Sequence, residues 1–236
     1  MEPSDFDMGQ LGVAENGGKI VMVLPFPPES QYGQAFIVWE AYLAFFDGQR
    51  IQSRYAWKRW LNTLIGYFTH GFTHCELAFR LMSADTQYET WMTCNIYQGE
   101  NLQFEFKTSD YTAEKENSLW SLYALELDQQ RLNKLFCDCA RDVQRGLSFN
   151  TAVYTNFLLP GCCRYDGKLR RVTFCSEHAT TALQRIQCAG FEDVEAASMD
   201  PTTLFNYVRT SGLFKRMRID RGVLIEIKER GGLEVV

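Results

Sequence analysis

Residues 173–183 read Thr173-Phe-Cys-Ser-Glu-His-Ala-Thr-Thr-Ala-Leu183, and within them the chain changes its period. Arg171, Val172, Thr173 and Phe174 suit an extended segment, after which Phe174, Ala179, Ala182, Leu183 and Ile186 can share one buried helical face. Cys175 stands at the junction. The first turn of a helix presents unpaired backbone N–H groups and the positive end of the helix dipole, which favour thiolate over thiol and can hold an oxyanion. Position alone does not make a nucleophile, because free cysteine also serves as a small buried hydrophobe. A second stretch about a hundred residues earlier, Phe72-Thr-His-Cys-Glu-Leu-Ala-Phe79, supplies the imidazole that a reactive thiol needs.

That stretch alternates. Thr73, Cys75, Leu77 and Phe79 fall on one side of an expected strand, and His74, Glu76, Ala78 and Arg80 on the other. His74 therefore shares a face with Glu76. Turn chemistry at residues 83–86 and a return strand over 88–97 complete a hairpin, with a further strand at 102–107 and a charged loop at 112–117. Of the three histidines, His70 lies in a Thr-His-Gly loop and is expected at the surface. His178, one turn after Cys175, is expected on the helix surface, exposed or capping.

The rest of the chain supplies the frame. Residues 19–24 read as a buried strand stopped by Pro25, Pro27 and Pro28, and residues 1–18 as a flexible acidic, glycine-rich tail. Between residues 34 and 46 the apolar positions are compatible with a helix, with a strand over 35–39 as the alternative. Residues 53–68 carry Trp57, Trp60, Leu61, Leu64, Ile65 and Phe68 at helical spacing, an amphipathic helix better suited to the core than to a membrane surface. A strand over 119–127 leads to Asp128, the expected N-cap of a helix running to Arg145 that buries Leu132, Leu135, Phe136, Cys139, Ala140 and Val143. Residues 191–199 should be extended or looped. Asp200-Pro201 opens a helix over 202–210 with a cap and an N1 proline, and residues 223–228 form a closing strand.

At 236 residues with 46% hydrophobic content, the chain can bury one sizeable α+β core over 19–236. A net charge of −5 without a basic run disfavours a nucleic-acid partner. No apolar run is long enough to cross a bilayer, and no signal-peptide pattern opens the chain, so a soluble cytoplasmic protein without an integral membrane segment is expected. The eight cysteines are unevenly spaced, as in a reducing compartment. Cys137-x-Cys139, Cys162-Cys163 and Cys175-x-x-His178 offer possible zinc ligands, but none repeats the Cys-x-x-Cys pattern, and no metal or cofactor is expected.

A strand histidine that precedes a helix-start cysteine resembles the circularly permuted branch of the papain-like fold, the NlpC-type superfamily of lecithin retinol acyltransferase and the YiiX-like bacterial hydrolases. The motifs are Phe72-Thr-His-Cys-Glu-Leu-Ala-Phe79 and Phe174-Cys-Ser-Glu177, followed by Asp200-Pro-Thr-Thr-Leu204, so the likeness spans residues 72–207. It implies a permuted papain-like fold, an antiparallel sheet packed against the nucleophile-bearing helix. Cys175 would then be the nucleophile and His74 the general base. The third catalytic residue is assigned to Glu76, with Glu89, Thr93 and Asn95 as alternatives. The implied function is a thiol hydrolase working through an acyl-enzyme on an amide, isopeptide, thioester or ester bond of a peptide, protein-conjugate or acyl-lipid substrate. A lipid acyltransferase or phospholipase of the same superfamily, and a non-catalytic binding module, are the alternatives.

Overall fold

The computed structural model describes residues 12–16, 19–24, 34–47, 71–83, 89–97, 100–107, 111, 119–149, 172–220 and 223–227. In chain order these hold β1 (Gly12–Asn16), β2 (Lys19–Leu24), β3 (Gln34–Phe46), β4 (His74–Ser83), β5 (Glu89–Asn95), β6 (Gln103–Phe106) and β7 (Trp120–Leu125). Then follow α1 (Gln129–Gln144), β8 (Ser148–Phe149), β9 (Val172–Thr173), α2 (Cys175–Arg185), α3 (Pro201–Ser211), β10 (Lys215–Asp220) and β11 (Val223–Glu226). The architecture is α+β. The main sheet runs β11-β10-β7-β3-β4-β5-β6, with every neighbour antiparallel, and β2 joins β3 beyond the end of β7 and carries β1 outside it.

β3 is the longest strand and the axis of this sheet, which corrects the helix expected over residues 34–46. The physical reason is a bulge. The register of β3 on β4 slips between Val38 and Glu40, leaving Trp39 as the extra residue, 48% exposed. Before the bulge Phe36 and Val38 face the helices; after it Ala41, Leu43 and Phe45 do. The two-residue alternation is thereby broken midway, and the apolar positions imitate helical spacing. Gly12–Asn16, at the end of the expected tail, pairs as β1 with β2, and β10 is a strand the sequence reading did not include. The helix expected over residues 53–68, the loop at 112–117 and the segment 150–171 lie outside the described residues.

Two of the described helices have sequence-encoded ends. Asp128 caps α1 by accepting from the Arg131 N–H at 2.8 Å. Asp200 caps α3 by accepting from the N–H groups of Thr202 (2.9 Å) and Thr203 (3.0 Å), Pro201 occupies N1, and Gly212 closes the helix in the left-handed region at φ 67°. α1, α2 and α3 together cover one face of the sheet. Leu132, Leu135 and Phe136 of α1, Ala179, Ala182 and Leu183 of α2, and Leu204, Phe205 and Val208 of α3 pack there against Leu43, Phe45, Leu77 and Phe79. The ring of Phe136 lies edge-on to Phe79 at 5.1 Å and stacks on Phe104 at 5.0 Å. Phe136→Ala is expected to cost about 3–5 kcal/mol in chemical denaturation, since the ring is fully buried and its neighbours span two strands.

A smaller apolar layer of Tyr42, Ala44, Ala78, Trp91, Tyr111, Leu122 and Ile219 covers the other face. Among the described residues no helix is long and apolar enough to cross a membrane.

Candidate active site

Two local devices bring Cys175 to His74. The short parallel pair β8–β9 holds Thr173 beside Phe149, and Phe174, extended at φ −126° and ψ 169°, turns the chain into α2. On the other side, the β4–β5 ladder begins only at Leu77–Cys94, so the N–H of Cys75 has no partner strand. It donates to the Cys175 sulfur instead. α2 packs directly on β4. The Phe72 N–H donates to Thr202 Oγ1 at 2.8 Å, so the capped end of α3 fixes the chain two residues before His74.

Phe174, the N-cap of α2, has no side-chain oxygen to spend on the first turn. Its own N–H is accepted by the Glu177 carboxylate, half of a capping box. The Ser176 N–H is thus left to point at the Cys175 sulfur. Together with the helix dipole these donors favour negative charge at that atom.

His74 hydrogen-bonds Cys175 on one side and Glu76 on the other, where Nε2 stands 3.2 Å from Oε2. With Nε2 engaged, Nδ1 is the nitrogen left for the sulfur. Burial opposes charge on both members of the pair, but each overrides it for the other. The Cys175 thiol is held below its ordinary value by His74 and by the N–H groups of Cys75 and Ser176, and His74 is pushed up to about 9 by Cys175 and Glu76. Neighbouring thiols behave differently: burial pushes Cys75 well up and Cys188 up to about 11. Both shifts favour the thiolate–imidazolium form of the pair.

Behind His74 lies a second charged layer. Glu76 is 1% exposed, against 7% for His74 and 8% for Cys175, so the carboxylate is the sealed end of the chain. Lys107 Nζ donates to its Oε2 at 3.2 Å and the Tyr111 hydroxyl donates to its Oε1. Burial works against ionisation, yet Lys107, His74 and Tyr111 hold Glu76 below the usual carboxylate range. Lys107 also donates to the Tyr97 hydroxyl and stands 3.7 Å from Glu105 Oε2. Tyr97 stacks on the imidazole at 4.6 Å between centroids, fixing the ring plane. With Cys175 as thiolate and His74 as imidazolium, the chain Cys175, His74, Glu76 and Lys107 alternates in sign.

The alternatives to Glu76 are engaged elsewhere. Glu89 accepts from Arg80 Nε at 3.1 Å, and Asn95 Nδ2 donates to Thr93 Oγ1 and Glu105 Oε2, both at 2.9 Å. Lys107, Tyr97 and Tyr111 escaped the sequence reading; each is remote from His74 and Glu76 in sequence and meets them only through the fold. His178 is not exposed, as expected from sequence, but 5% accessible, because α1 covers that face of α2. His70 and the pair Cys162-Cys163 lie outside the described residues. Compared with family models, with curated proteins and with solved structures, the chain gives no match in any of the three.

Proposed function

We propose that the protein is a thiol hydrolase whose nucleophile is Cys175, whose proton carrier is His74 and whose imidazole is oriented by Glu76. The observation that carries this reading is the hydrogen-bonded Cys175–His74 pair with opposite shifts in proton affinity, backed by a buried carboxylate. A cysteine placed for packing alone needs none of these partners. The order of the motifs, together with an antiparallel sheet covered by the cysteine-bearing helix, supports a relationship to the permuted papain-like hydrolases.

The chemistry follows from the charges. The Cys175 thiolate attacks a carbonyl carbon and forms a C–S bond, while the carbonyl π electrons move to oxygen. The Cys175 N–H at the head of α2 donates to that oxyanion. As the tetrahedral adduct collapses, the bond to the leaving group breaks and the His74 imidazolium gives it a proton. Water then enters; neutral His74 takes its proton, the acyl carbon passes to hydroxide oxygen, and the thiolate is released. Glu76 stays ionised throughout, holding Nε2–H and stabilising the imidazolium. Its partner Lys107 keeps that carboxylate charged. An alcohol or amine in place of water gives the acyltransferase outcome with the same groups.

The test is a panel of electrophilic probes carrying ubiquitin-like, peptide-amide and lipid-ester recognition elements, applied to the native chain and to Cys175→Ala. Labelling by one class that vanishes on substitution identifies both nucleophile and substrate class. A native chain that no probe labels at Cys175, while other thiols react, would leave a binding module as the reading.

The pH profile of that labelling is a further prediction. Around His74 stand Cys175 from α2, Glu76 from its own strand and Tyr97, with Lys107 and Glu105 behind them. Because His74 is raised to about 9 and Cys175 is lowered, the thiolate forms at lower pH than in an ordinary thiol. The labelling rate should therefore rise at lower pH than that of the other thiols, and fall on the acid side as the thiolate is protonated. Turnover of a substrate should also fall above about 9, where His74 loses the proton it must donate.

A further inference from the structure

One turn along α2 from the sulfur–imidazole pair, three elements converge on one spot. Cys94 comes from β5, Cys139 from α1 and His178 from α2, all three buried. One ligand atom from each lies within 4.8 Å of the others. His178 Nε2 is buried without a hydrogen bond. Asp142, one turn beyond Cys139 on α1 and itself buried, places Oδ2 3.5 Å from that nitrogen. The Cys175–His74 chemistry uses none of these four side chains.

We propose that Cys94, Cys139, His178 and Asp142 form a structural zinc site that ties α1 and α2 to β5. Two sulfurs, an imidazole and a carboxylate are the borderline-soft donor set that zinc takes. In a tetrahedral zinc site with bonds of about 2.0–2.3 Å, donor atoms stand roughly 3.3–3.8 Å apart, so the 3.5 Å between His178 and Asp142 already fits two ligands of one ion. A buried imidazole nitrogen that makes no hydrogen bond, with its nearest carboxylate oxygen at 3.5 Å, is costly, and a metal bond removes that cost. The charge closes as well. Two thiolates and one carboxylate around Zn²⁺ leave one negative charge, opposed by Arg185, which donates to Asp142 Oδ2, and by Arg145, whose Nη1 stands 3.5 Å from Oδ1. Arg185 thereby acts as the outer partner that orients a carboxylate ligand. On binding, each thiol gives its proton to solvent as its S–Zn bond forms.

The consequence for the molecule is positional. α2 carries Cys175 at its first residue and His178 at its fourth, so the clamp holds the helix one turn from the sulfur. The site stands whether or not Cys175 is a nucleophile.

The test uses the full chain expressed in zinc-supplemented medium. Elemental analysis should find about one zinc per chain, and X-ray absorption at the zinc edge should show a first shell of two sulfur and two nitrogen or oxygen atoms. Cys139→Ser and His178→Ala should each lose most of the metal, whereas Cys175→Ala should keep it. The absorption spectrum of the native chain needs no variant and guards against one that misfolds. A chain that retains no zinc overturns the proposal, as does a shell of three or four sulfurs, a Cys94–Cys139 disulfide in the purified protein, or undiminished zinc in a folded Cys139→Ser variant.

Discussion

Cys175→Ala is expected to lower turnover by on the order of 10⁴-fold or more while leaving the protein folded, because the substitution deletes the atom that forms the acyl bond and removes little volume. His74→Ala should fall nearly as far. The two losses should not add: once the thiolate is gone the imidazole has nothing to activate, so the double variant should resemble the single ones. The substitution should also be legible in the remaining partner. His74 is raised to about 9 by Cys175 first and Glu76 second. Removing the sulfur should therefore bring its NMR titration down toward, but not to, the ordinary imidazole value, because Glu76 stays 3.2 Å away. The stability sign follows. A raised imidazole contributes stability that is complete below its ordinary value of 6.5 and lost as pH rises through about 9. The lowered Cys175 thiol contributes the opposite slope below its ordinary value of 9.0, so the native pair should leave stability nearly flat over that interval, whereas Cys175→Ala, which keeps only the imidazole raised by Glu76, should lose stability there.

Lys107→Met is expected to cost about 3–5 kcal/mol in chemical denaturation, a loss far beyond that of an exposed ion pair. The side chain of Lys107 is 5% exposed and that of Glu76 is fully buried, so removing the ammonium strands a carboxylate that cannot recover water. Glu76 is held below the usual carboxylate range with Lys107 as its leading charged partner, and its contribution is present above its ordinary value of 4.5 and lost as pH falls through the folded value. Lys107→Met should therefore move acid unfolding to higher pH. A double-mutant cycle with Glu76→Gln isolates the pair: removing both charges should cost clearly less than the sum of the single changes. Turnover should fall with it, since a protonated Glu76 no longer favours the imidazolium. Additive losses would place the lysine outside the charged chain.

Much of this was legible in the residues, for identifiable reasons. α1 and α3 announce their starts through Asp128 and Asp200-Pro201, and β4 shows two-residue alternation that puts His74 and Glu76 on one face. β3 hid its nature because the bulge at Trp39 shifts the apolar parity halfway along. Lys107 was invisible because it lies 31 residues from Glu76 and meets it only across the sheet; a lone lysine otherwise reads as exposed. His178 could have been read as buried. It is three residues from Cys175 and adjacent to Ala179, on the stripe that Ala182 continues, and burial of that stripe follows from the same period that placed the helix.

The central claim is that Cys175 rests as a thiolate because His74 holds it so. A pH titration of thiolate ultraviolet absorbance, taken as the difference between the native chain and Cys175→Ala and repeated in a His74→Ala background, tests it without requiring a reagent to reach the sulfur. The account predicts a Cys175 step below the ordinary thiol value of 9.0 that moves upward when His74 is removed. A step at or above that value, unmoved by His74→Ala, would contradict it.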